Sequence, residues 1–232
     1  MTQNLTPEAT KIKALFDSIA TEYDHLNDRL SFGQHRIWKM MAVKWSNPHP
    51  GDIALDLCCG SGDLAFMLAK KVGKGKVIGL DFATQQLEIA AKKQPYRESL
   101  QWLEGDALNL PFTDNYFDCA TMGYGLRNVT DIPRCLKEIY RVLKPEANIA
   151  ILDFHRPESD LMSAFQQWYL NNIVIPTAQS LNMSEEYAYL VPSLAKFPQG
   201  QEQVKLAYSA GFTEAIHYPL VGGMMGVLVL KK

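Results

Sequence analysis

Residues 53–63 combine a short apolar run, a glycine turn and the start of a helix pattern, in the order Ile-Ala-Leu-Asp-Leu-Cys-Cys-Gly-Ser-Gly-Asp. An apolar run that turns through glycine into a helix is typical of the first strand–helix unit of an open parallel sheet. Sheets of this kind bind ligands beyond the carboxyl ends of their strands, which is where the turn lies. The segment therefore predicts both a fold class and the place of a binding site.

Carboxylates surround this turn and separate two kinds of nucleotide cofactor. Asp56 precedes Gly60 and Gly62, Asp63 follows them, and Asp81 ends the next apolar run. The spacing fits a dinucleotide fingerprint, but a dinucleotide places its anionic pyrophosphate at the start of the following helix, where Asp63 would repel it. A ligand with an amino group and a sulfonium, such as S-adenosylmethionine, would be attracted instead. The alternative is a tight connection with no ligand.

Strand and helix patterns alternate through the middle of the chain. Strands are predicted at 53–58, 77–82, 100–104, 117–122 and 148–154, and helices at about 63–72, 84–94 and 131–143. The alternation predicts a parallel sheet with helices on both faces. Residues 216–220 and 227–230 are expected to form an antiparallel pair, and Pro145 is expected to stop the preceding helix near Lys144.

Two segments lie outside this alternation. Residues 1–50 contain two amphipathic helix patterns around a polar, loop-like stretch from Thr21 to His35, and residues 157–198 are helical in period and rich in aromatic side chains. We expect the first segment to form a helical lid and the second a helical insertion over the site. No linker divides the chain, so residues 1–232 are predicted to form a single α/β domain.

Composition excludes several classes of protein. The net charge of −2 gives no sign of a nucleic-acid partner, and no apolar run approaches the ~20 residues of a membrane span. The cysteines Cys58, Cys59, Cys119 and Cys135 form no C-x-x-C pair, which argues for a reducing compartment and against a zinc site or a disulfide framework. The start of the chain lacks a signal-peptide pattern, so we expect a cytoplasmic protein with no metal.

Asp106 adds a third strand-end acid to the predicted site. Asp56, Asp81 and Asp106 all fall at or near the carboxyl ends of predicted strands. An acid at the end of the second strand can accept both ribose hydroxyls, and one after the third strand can accept the exocyclic amine of adenine. Asp106 can equally serve as a turn residue or a helix cap.

This core resembles class I S-adenosylmethionine-dependent methyltransferases in its glycine motif and in its second- and third-strand acids. Two more blocks of sequence narrow the resemblance to one family. The first is Tyr23-Asp24-His25-Leu26-Asn27-Asp28, which continues as Ser31-Phe32-Gly33-Gln34-His35-Arg36-Ile37-Trp38-Lys39. The second is Gly125-Leu126-Arg127-Asn128-Val129. Together they are similar to the signatures of the UbiE/MenG family of quinone C-methyltransferases over nearly the whole chain. Within that family, Cys58-Cys59-Gly60-Ser61-Gly62-Asp63 looks like the branch of oxygenic phototrophs, which resembles demethylphylloquinone methyltransferases.

The resemblance implies a Rossmann-like fold with an antiparallel C-terminal strand, S-adenosylmethionine as cofactor and a phytylated or prenylated naphthoquinol as substrate. It favours C-methylation of demethylphylloquinol (2-phytyl-1,4-naphthoquinol) in phylloquinone biosynthesis, and leaves demethylmenaquinol or a ubiquinone-pathway benzoquinol as alternatives. The cofactor-binding residues that it implies are Asp56, Gly60, Ser61, Gly62, Asp81, Phe82, Asp106, Ala107 and Gly123. At Gly123 many bacterial members carry serine.

Methyl transfer to carbon needs an electron-rich acceptor, so the quinol rather than the quinone is the expected substrate. Arg127 and Asn128 follow the fourth strand, and Arg127 is expected to stabilise the developing quinolate. The alternative is a structural Arg127 paired with a helix cap or with Asp131. Asp24 is the first candidate base or water-orienting group, with Tyr23 beside the ring; packing and helix capping are their alternatives.

Further candidates are weaker. His35 and His155 are minor candidates for proton transfer, and residues 161–175 with Tyr187, Tyr189 and Leu190 are candidates for a slot that holds the lipid tail. A lipid-dissolved substrate predicts transient contact with a membrane surface, to which Arg29, Arg36, Lys39 and Lys44 can contribute. A nicotinamide-dependent dehydrogenase and a non-catalytic S-adenosylmethionine-binding protein stay open as other classes. The oligomeric state is unknown from sequence.

Overall fold

Seven strands form one sheet in the computed structural model, which describes residues 7–18, 29–31, 33–93, 99–180 and 191–232. The strands are β1 (Ile53–Leu57), β2 (Lys76–Asp81), β3 (Leu100–Glu104), β4 (Phe117–Gly123), β5 (Leu143–Phe154), β6 (Glu214–Leu220) and β7 (Met225–Lys231). Their order is β3-β2-β1-β4-β5-β7-β6, with β1 to β5 parallel and β7 antiparallel between β5 and β6. The predicted mostly parallel sheet with an antiparallel C-terminal strand is confirmed.

Helices connect and cover the strands. They are α1 (Pro7–Ser18), α2 (Gln34–Trp45), α3 (Asp63–Val72), α4 (Thr84–Lys93), α5 (Ile132–Val142), α6 (Asp160–Tyr169), α7 (Ile175–Ser180) and α8 (Gly200–Ala210). A π-helical turn, Leu170–Val174, joins α6 to α7, and residues 191–196 are also helical. The expected roles of residues 1–50 as a lid and of residues 157–198 as a cover over the site stay predictions.

Successive side chains of the strands point to opposite faces of the sheet and build two apolar cores. In β5, Ile149 and Ile151 belong to the core that includes α5 and α8, whereas Ala150 and Leu152 belong to the core that includes α2 and α3. Helices therefore fill both faces, as a parallel sheet requires. The faces of the sheet are thus covered, and a ligand can bind at the ends of the strands.

The indole of Trp102, in β3, packs in space that two glycines leave open. A Cβ added at Gly79, in β2, would lie 2.4 Å from the Trp102 ring, and one added at Gly62 would lie 2.6 Å from it. The ring of Phe66, in α3, meets the indole edge-on with a centroid distance of 5.6 Å. Gly62 also has a φ of 91° just before α3, a left-handed conformation that favours glycine. These contacts fix the start of α3 against the sheet.

The strand–helix core agrees with its predicted boundaries to within one residue, except at the start of β5. The expectation that Pro145 stops α5 near Lys144 is wrong, because α5 ends at Val142 and β5 begins at Leu143. The register between β4 and β5 shifts where Phe117 pairs with Leu143 and Cys119 with Asn148. Pro145 lies within this irregularity, where a strand tolerates a residue that lacks a backbone N–H.

The last part of the stretch from Thr21 to His35, which was predicted to be loop-like, contains helical residues. Residues 29–31 are helical, and His35 lies in α2. The hydroxyl of Ser31 lies 2.7 Å from His35 Nδ1, and the His35 backbone N–H donates to the same hydroxyl. Side-chain contacts that span this short distance favour a helical turn over an open loop. Residues 21–28 lie outside the described residues.

Candidate active site

A cavity of about 370 Å³ lies at the carboxyl ends of β1, β2, β3 and β4. Among the candidate residues, the following line it: Gly60, Ser61, Asp81, Phe82, Asp106, Ala107, Gly123 and Asn128. Asp56, Gly62 and Arg127 do not line it, and Tyr23 and Asp24 lie outside the described residues. The structure thus brings together residues from four separate strand ends.

Asp81 joins the glycine turn to the end of β2. Its Oδ2 accepts a hydrogen bond from the Gly60 N–H at 2.8 Å, and its Oδ1 accepts one from the Ala83 N–H at 2.8 Å. Burial raises the pKa of Asp81 above its ordinary value, and these backbone N–H groups oppose the rise. Since a carboxylate oxygen has two lone pairs, Asp81 can hold the backbone and still accept two ligand hydroxyls.

Asp106 is a turn residue that also lines the cavity. Its Oδ1 accepts a hydrogen bond from the Leu108 N–H at 2.9 Å, which makes it a turn residue. Asp106 also lines the cavity, as does Ala107 beside it. The turn therefore holds the carboxylate at the β3 side of the site.

Two residues of the cavity wall, which follow β1 and β4, have a left-handed backbone conformation. Cys58 and Tyr124 line the cavity with φ values of 54° and 60°, in the left-handed region that side chains rarely adopt. A Cβ added at Gly125 would lie 2.6 Å from the Cys58 Cβ, so the turns after the two strands approach closely. Gly123 has a similar constraint, since a Cβ there would lie 2.7 Å from Leu64 Cδ1. A serine at this position would require Leu64 to move.

Asp56 lies behind the glycine turn and is fully buried. Its Oδ1 accepts a hydrogen bond from the Thr121 hydroxyl at 2.8 Å, and its Oδ2 has no hydrogen-bond partner within the described ranges. Burial raises the pKa of Asp56 from 3.8 to about 7, although the Thr121 hydroxyl favours the charged form. Asp56 thus joins β1 to β4 within the core and carries a proton over part of the neutral range.

Lys39, which the sequence placed near a membrane surface, is instead a residue of the cavity wall. It is only 6% exposed, and its Nζ lies 2.6 Å from Asp63 Oδ2. Burial favours a higher pKa for Asp63, but the charge and hydrogen bond of Lys39 outweigh it and lower that pKa below its ordinary value. A signal was present in the sequence, because Lys39 lies at helical spacing from the apolar pair Ala42 and Val43.

Helix α1 covers the β2 side of the cavity. Lys13 donates hydrogen bonds to the carbonyl of Phe82 and, at 2.7 Å, to the hydroxyl of Thr84. The Gln86 side-chain amide donates to the carbonyl of Phe16 at 3.2 Å, and Phe16 and Ala9 line the cavity. These contacts connect an N-terminal helix directly to the strand ends that form the site.

Arg127 points into an ion pair rather than into the cavity. Its backbone N–H donates to Asp153 Oδ2 at 3.0 Å, its Nε lies 3.5 Å from Asp153 Oδ1, and its guanidinium donates to the Ser193 hydroxyl. The Nε contact allows electrostatic attraction but lacks hydrogen-bond geometry. Its partner is Asp153, not Asp131, which caps α5 by accepting from the Arg134 N–H.

The two histidine candidates both lie outside the cavity lining. His35 contacts Ser31, while His155 Nε2 lies 2.8 Å from the Gln203 amide nitrogen and 2.9 Å from His217 Nε2. Burial lowers the pKa of His155, and it lowers that of His217 to about 4, with a further contribution from His155. The His155–His217 contact links the end of β5 to β6.

The cavity fits a ligand rich in N–H and O–H donors. Besides Asp81 and Asp106, it is lined by Gln86 and Asn128, whose side-chain oxygens are buried and have no hydrogen-bond partner within the described ranges. Buried acceptors without a donor are costly, so these oxygens favour a bound donor. S-adenosylmethionine carries an ammonium, two ribose hydroxyls and an adenine amine, and it would supply an activated methyl group.

Solved structures share this fold. A structure described as a SAM-dependent methyltransferase from Thermotoga maritima matches 94% of this chain and 99% of its own chain, with a TM-score of 0.66 and 23% sequence identity. The sheet with its terminal antiparallel strand thus has the fold of solved S-adenosylmethionine-dependent methyltransferases. The predicted Rossmann-like fold class is confirmed.

Sequence comparisons place the chain within a family. The model of the ubiE/COQ5 methyltransferase family matches residues 4–231. A 2-phytyl-1,4-naphtoquinone methyltransferase of a Nostoc species is 59% identical over 96% of this chain and 99% of its own length. A 2-phytyl-1,4-beta-naphthoquinone methyltransferase, chloroplastic, of Arabidopsis thaliana is 51% identical over 95% of this chain and 87% of its own length. The chain belongs to the ubiE/COQ5 methyltransferase family, which confirms the family resemblance and the prediction of a methyltransferase.

Asp56 generates a prediction about stability and pH. Between about pH 4 and pH 7 the folded chain holds a proton on Asp56 that the unfolded chain releases, so the free energy of unfolding falls as the pH rises. Asp56→Asn resembles the protonated carboxyl and should remove this fall. From about pH 5 to pH 7.5, urea denaturation should show the wild type losing on the order of 2 kcal/mol relative to the variant.

The matched control is Asp160→Asn, which changes an exposed acid of α6. It should preserve the pH dependence of the wild type. A wild type and an Asp56→Asn variant with parallel pH profiles would contradict the assignment.

Proposed function

We propose that this protein transfers a methyl group from S-adenosylmethionine to a ring carbon of 2-phytyl-1,4-naphthoquinol, the reduced precursor of phylloquinone. The observation that carries the proposal is the likeness, over nearly the whole chain, to relatives named for this naphthoquinone. The cavity supports the choice of cofactor, because it is lined by hydrogen-bond acceptors that a ligand with several N–H and O–H groups can satisfy. A protein that only binds the cofactor is not favoured by relatives that are named as methyltransferases.

The described residues suggest how the cofactor is held. We assign the ribose hydroxyls to Asp81 and the adenine amine to Asp106, since each carboxylate lines the cavity and is fixed by backbone hydrogen bonds. Gly60 and Ser61 form the part of the wall where backbone can approach the ligand. Phe82, Ala107 and Gly123 complete the adjoining surface, while Asp56 and Gly62 act through the position of the turn.

The acceptor requires a group that stabilises negative charge on the quinol oxygen. We assign this task to Arg127, beside Asn128, because its guanidinium is buried near the end of β4 and has donors that Asp153 and Ser193 do not use. Asp153 positions the arginine. Asp24, as the base or water-orienting group, and Tyr23, beside the ring, stay predictions because they lie outside the described residues.

The acceptor is tested with labelled S-adenosylmethionine. The protein is offered demethylphylloquinol, demethylmenaquinol and a demethylated benzoquinol, each also in its oxidised form. We expect the highest kcat/KM for demethylphylloquinol and no methylation of oxidised quinones, because their rings are electron-poor. A preference for the benzoquinol would overturn the naphthoquinol assignment, and equal activity on the oxidised forms would overturn the quinol mechanism.

The Arg127 assignment predicts a separation of binding from turnover. Arg127→Ala should lower kcat by about 100-fold or more, as expected when a donor to a developing oxyanion is lost. Its affinity for S-adenosylmethionine, measured by calorimetry, should stay within about three-fold of wild type. Arg127→Lys should retain part of the activity through its charge.

Asp153→Asn is the control for an arginine that is merely structural. If Arg127 serves only to pair with Asp153, the two variants should lower the melting temperature and kcat in parallel. If Arg127 stabilises the quinolate, Asp153→Asn keeps the guanidinium and should lower kcat less than Arg127→Ala does. A loss of cofactor affinity that matches the loss of turnover would also refute the assignment.

An apolar surface on α6 supports transient contact with a bilayer. Leu161, Phe165 and Trp168 follow one face of the helix and are 78%, 44% and 54% exposed. Residues 161–180 contain no charged side chain. The Tyr169 hydroxyl donates to the carbonyl of Leu30, which ties this helix to the region before α2. Exposed aromatic and aliphatic groups of this kind suit the boundary between lipid head groups and chains.

Helix α2 supplies the charge that an anionic bilayer would attract. Its exposed residues include Ile37 and Met40 together with Arg36 and Lys44, and residues 29–45 contain no acid. No helix in the described part of the chain is long and apolar enough to cross a bilayer. A cytoplasmic location with peripheral contact to a membrane stays a prediction.

Membrane contact is tested by flotation with vesicles of phosphatidylglycerol and phosphatidylcholine. The double variant Leu161→Ser/Trp168→Ser should lower vesicle partitioning by about ten-fold or more, because it removes apolar area that lipid would bury. Tyr208→Ser, at an exposed aromatic residue of α8, is the matched control and should partition like wild type. Equal partitioning of all three proteins would refute the proposed surface.

A further inference from the structure

The ion pair of Lys39 and Asp63 lies where three parts of the site meet. Lys39 comes from α2, Asp63 is the first residue of α3, and both line the cavity next to the glycine turn. The Lys39 Nζ also lies 6.0 Å from the centroid of the Tyr124 ring, which follows β4. The pair therefore occupies the β4 side of the turn, opposite Asp81 and Asp106 on the β2 and β3 side.

Lys39 retains donors for a ligand. An ammonium has three N–H donors, and within the described ranges that of Lys39 makes one hydrogen bond, to Asp63. Its side chain is only 8% exposed, so water gives limited compensation for the other donors. A buried ammonium is stabilised when its remaining N–H groups also find acceptors, so Lys39 favours an acceptor such as a carboxylate in the adjoining cavity.

Asp63 offers the opposite charge beside it. The lowered pKa keeps this carboxyl ionised near neutral pH, and its side chain is 36% exposed. Lys39 occupies one of its oxygens, which leaves acceptor capacity on the carboxylate. The wall thus presents a positive and a negative group side by side, with little net charge.

We propose that Lys39 and Asp63 bind the amino-acid end of the cofactor, Lys39 through its α-carboxylate and Asp63 through its α-ammonium. A side-by-side pair of opposite charges is complementary to a zwitterion, whereas Asp63 alone would favour any cation. The position agrees with this assignment, because the acids assigned to adenosine lie across the glycine turn. The inference rests on the proposed use of S-adenosylmethionine and deepens it.

The subsite is tested by calorimetry with two ligands that differ at the amino-acid end. S-adenosylhomocysteine and methylthioadenosine share adenosine and a neutral thioether, but only the first carries the carboxylate and the ammonium. The readout is the preference for S-adenosylhomocysteine, as the ratio of the two dissociation constants. The double variant Lys39→Met/Asp63→Asn should lower this preference by about 10- to 100-fold, since it removes two charge-assisted contacts.

The double variant avoids a buried charge without a partner, and its binding of methylthioadenosine reports whether the adenosine site is folded. Lys70→Met changes an exposed lysine of α3, the helix that begins with Asp63, and should leave the preference as in wild type. A double variant that keeps the preference within about three-fold of wild type would overturn the proposal and make the pair a purely structural contact.

Decarboxylated S-adenosylmethionine separates the two roles. Lys39→Met should weaken the binding of S-adenosylmethionine by about ten-fold or more and leave the decarboxylated ligand within about three-fold of wild type. Asp63→Asn should weaken both ligands, because both retain the ammonium. An equal loss of both ligands in Lys39→Met would show that Lys39 does not bind the carboxylate.

These binding measurements use no quinol, so they test the amino-acid subsite separately from the proposed acceptor. A wild type that prefers S-adenosylhomocysteine but methylates none of the quinols would refute the proposed acceptor and leave the subsite in place. A wild type that methylates the quinol but binds both thioethers equally would refute the subsite alone.

Discussion

The bond network of Asp81 is the constraint on which the rest of the site depends. One carboxylate holds the first glycine of the turn and the backbone after β2, so the ends of β1 and β2 keep a fixed relation. The cavity lies at these strand ends because helices already fill both faces of the sheet. Burial raises the pKa of this acid, while its backbone donors favour the charged form that can also accept a ligand.

Local pattern was enough to predict the sheet and its first helices. Apolar runs bounded by glycine identified β1 and β2, and the strand-end rule placed Asp81 and Asp106 at one cavity. Pro145 misled the prediction because its meaning depends on a register shift against β4 that no local pattern reveals. His35 was placed in a loop because the polar residues before it hid the start of α2 at Gln34.

Charge partners were the part of the site that the sequence could not provide. Asp63 was understood as a bare negative charge at a helix start, whereas the fold brings Lys39 to it from 24 residues away. The sequence offered Asp131 or a helix cap as the structural partner of Arg127, whereas its pairing with Asp153 arises only where β4 and β5 lie side by side. Both pairs join elements that are distant in sequence, so a single sequence shows the residues without showing which of them meet.

The packing of Trp102 against Gly62 and Gly79 limits the order in which amino-acid substitutions can accumulate at these positions. A side chain at either glycine would collide with the indole, so such a substitution is unfavourable while Trp102 is present. Replacement of Trp102 by a smaller residue would make room first and relax the constraint at Gly79, whereas Gly62 would still be restricted by its left-handed φ of 91°. The permitted mutational paths are therefore directional, and the effect of each substitution depends on which of its neighbours has already changed.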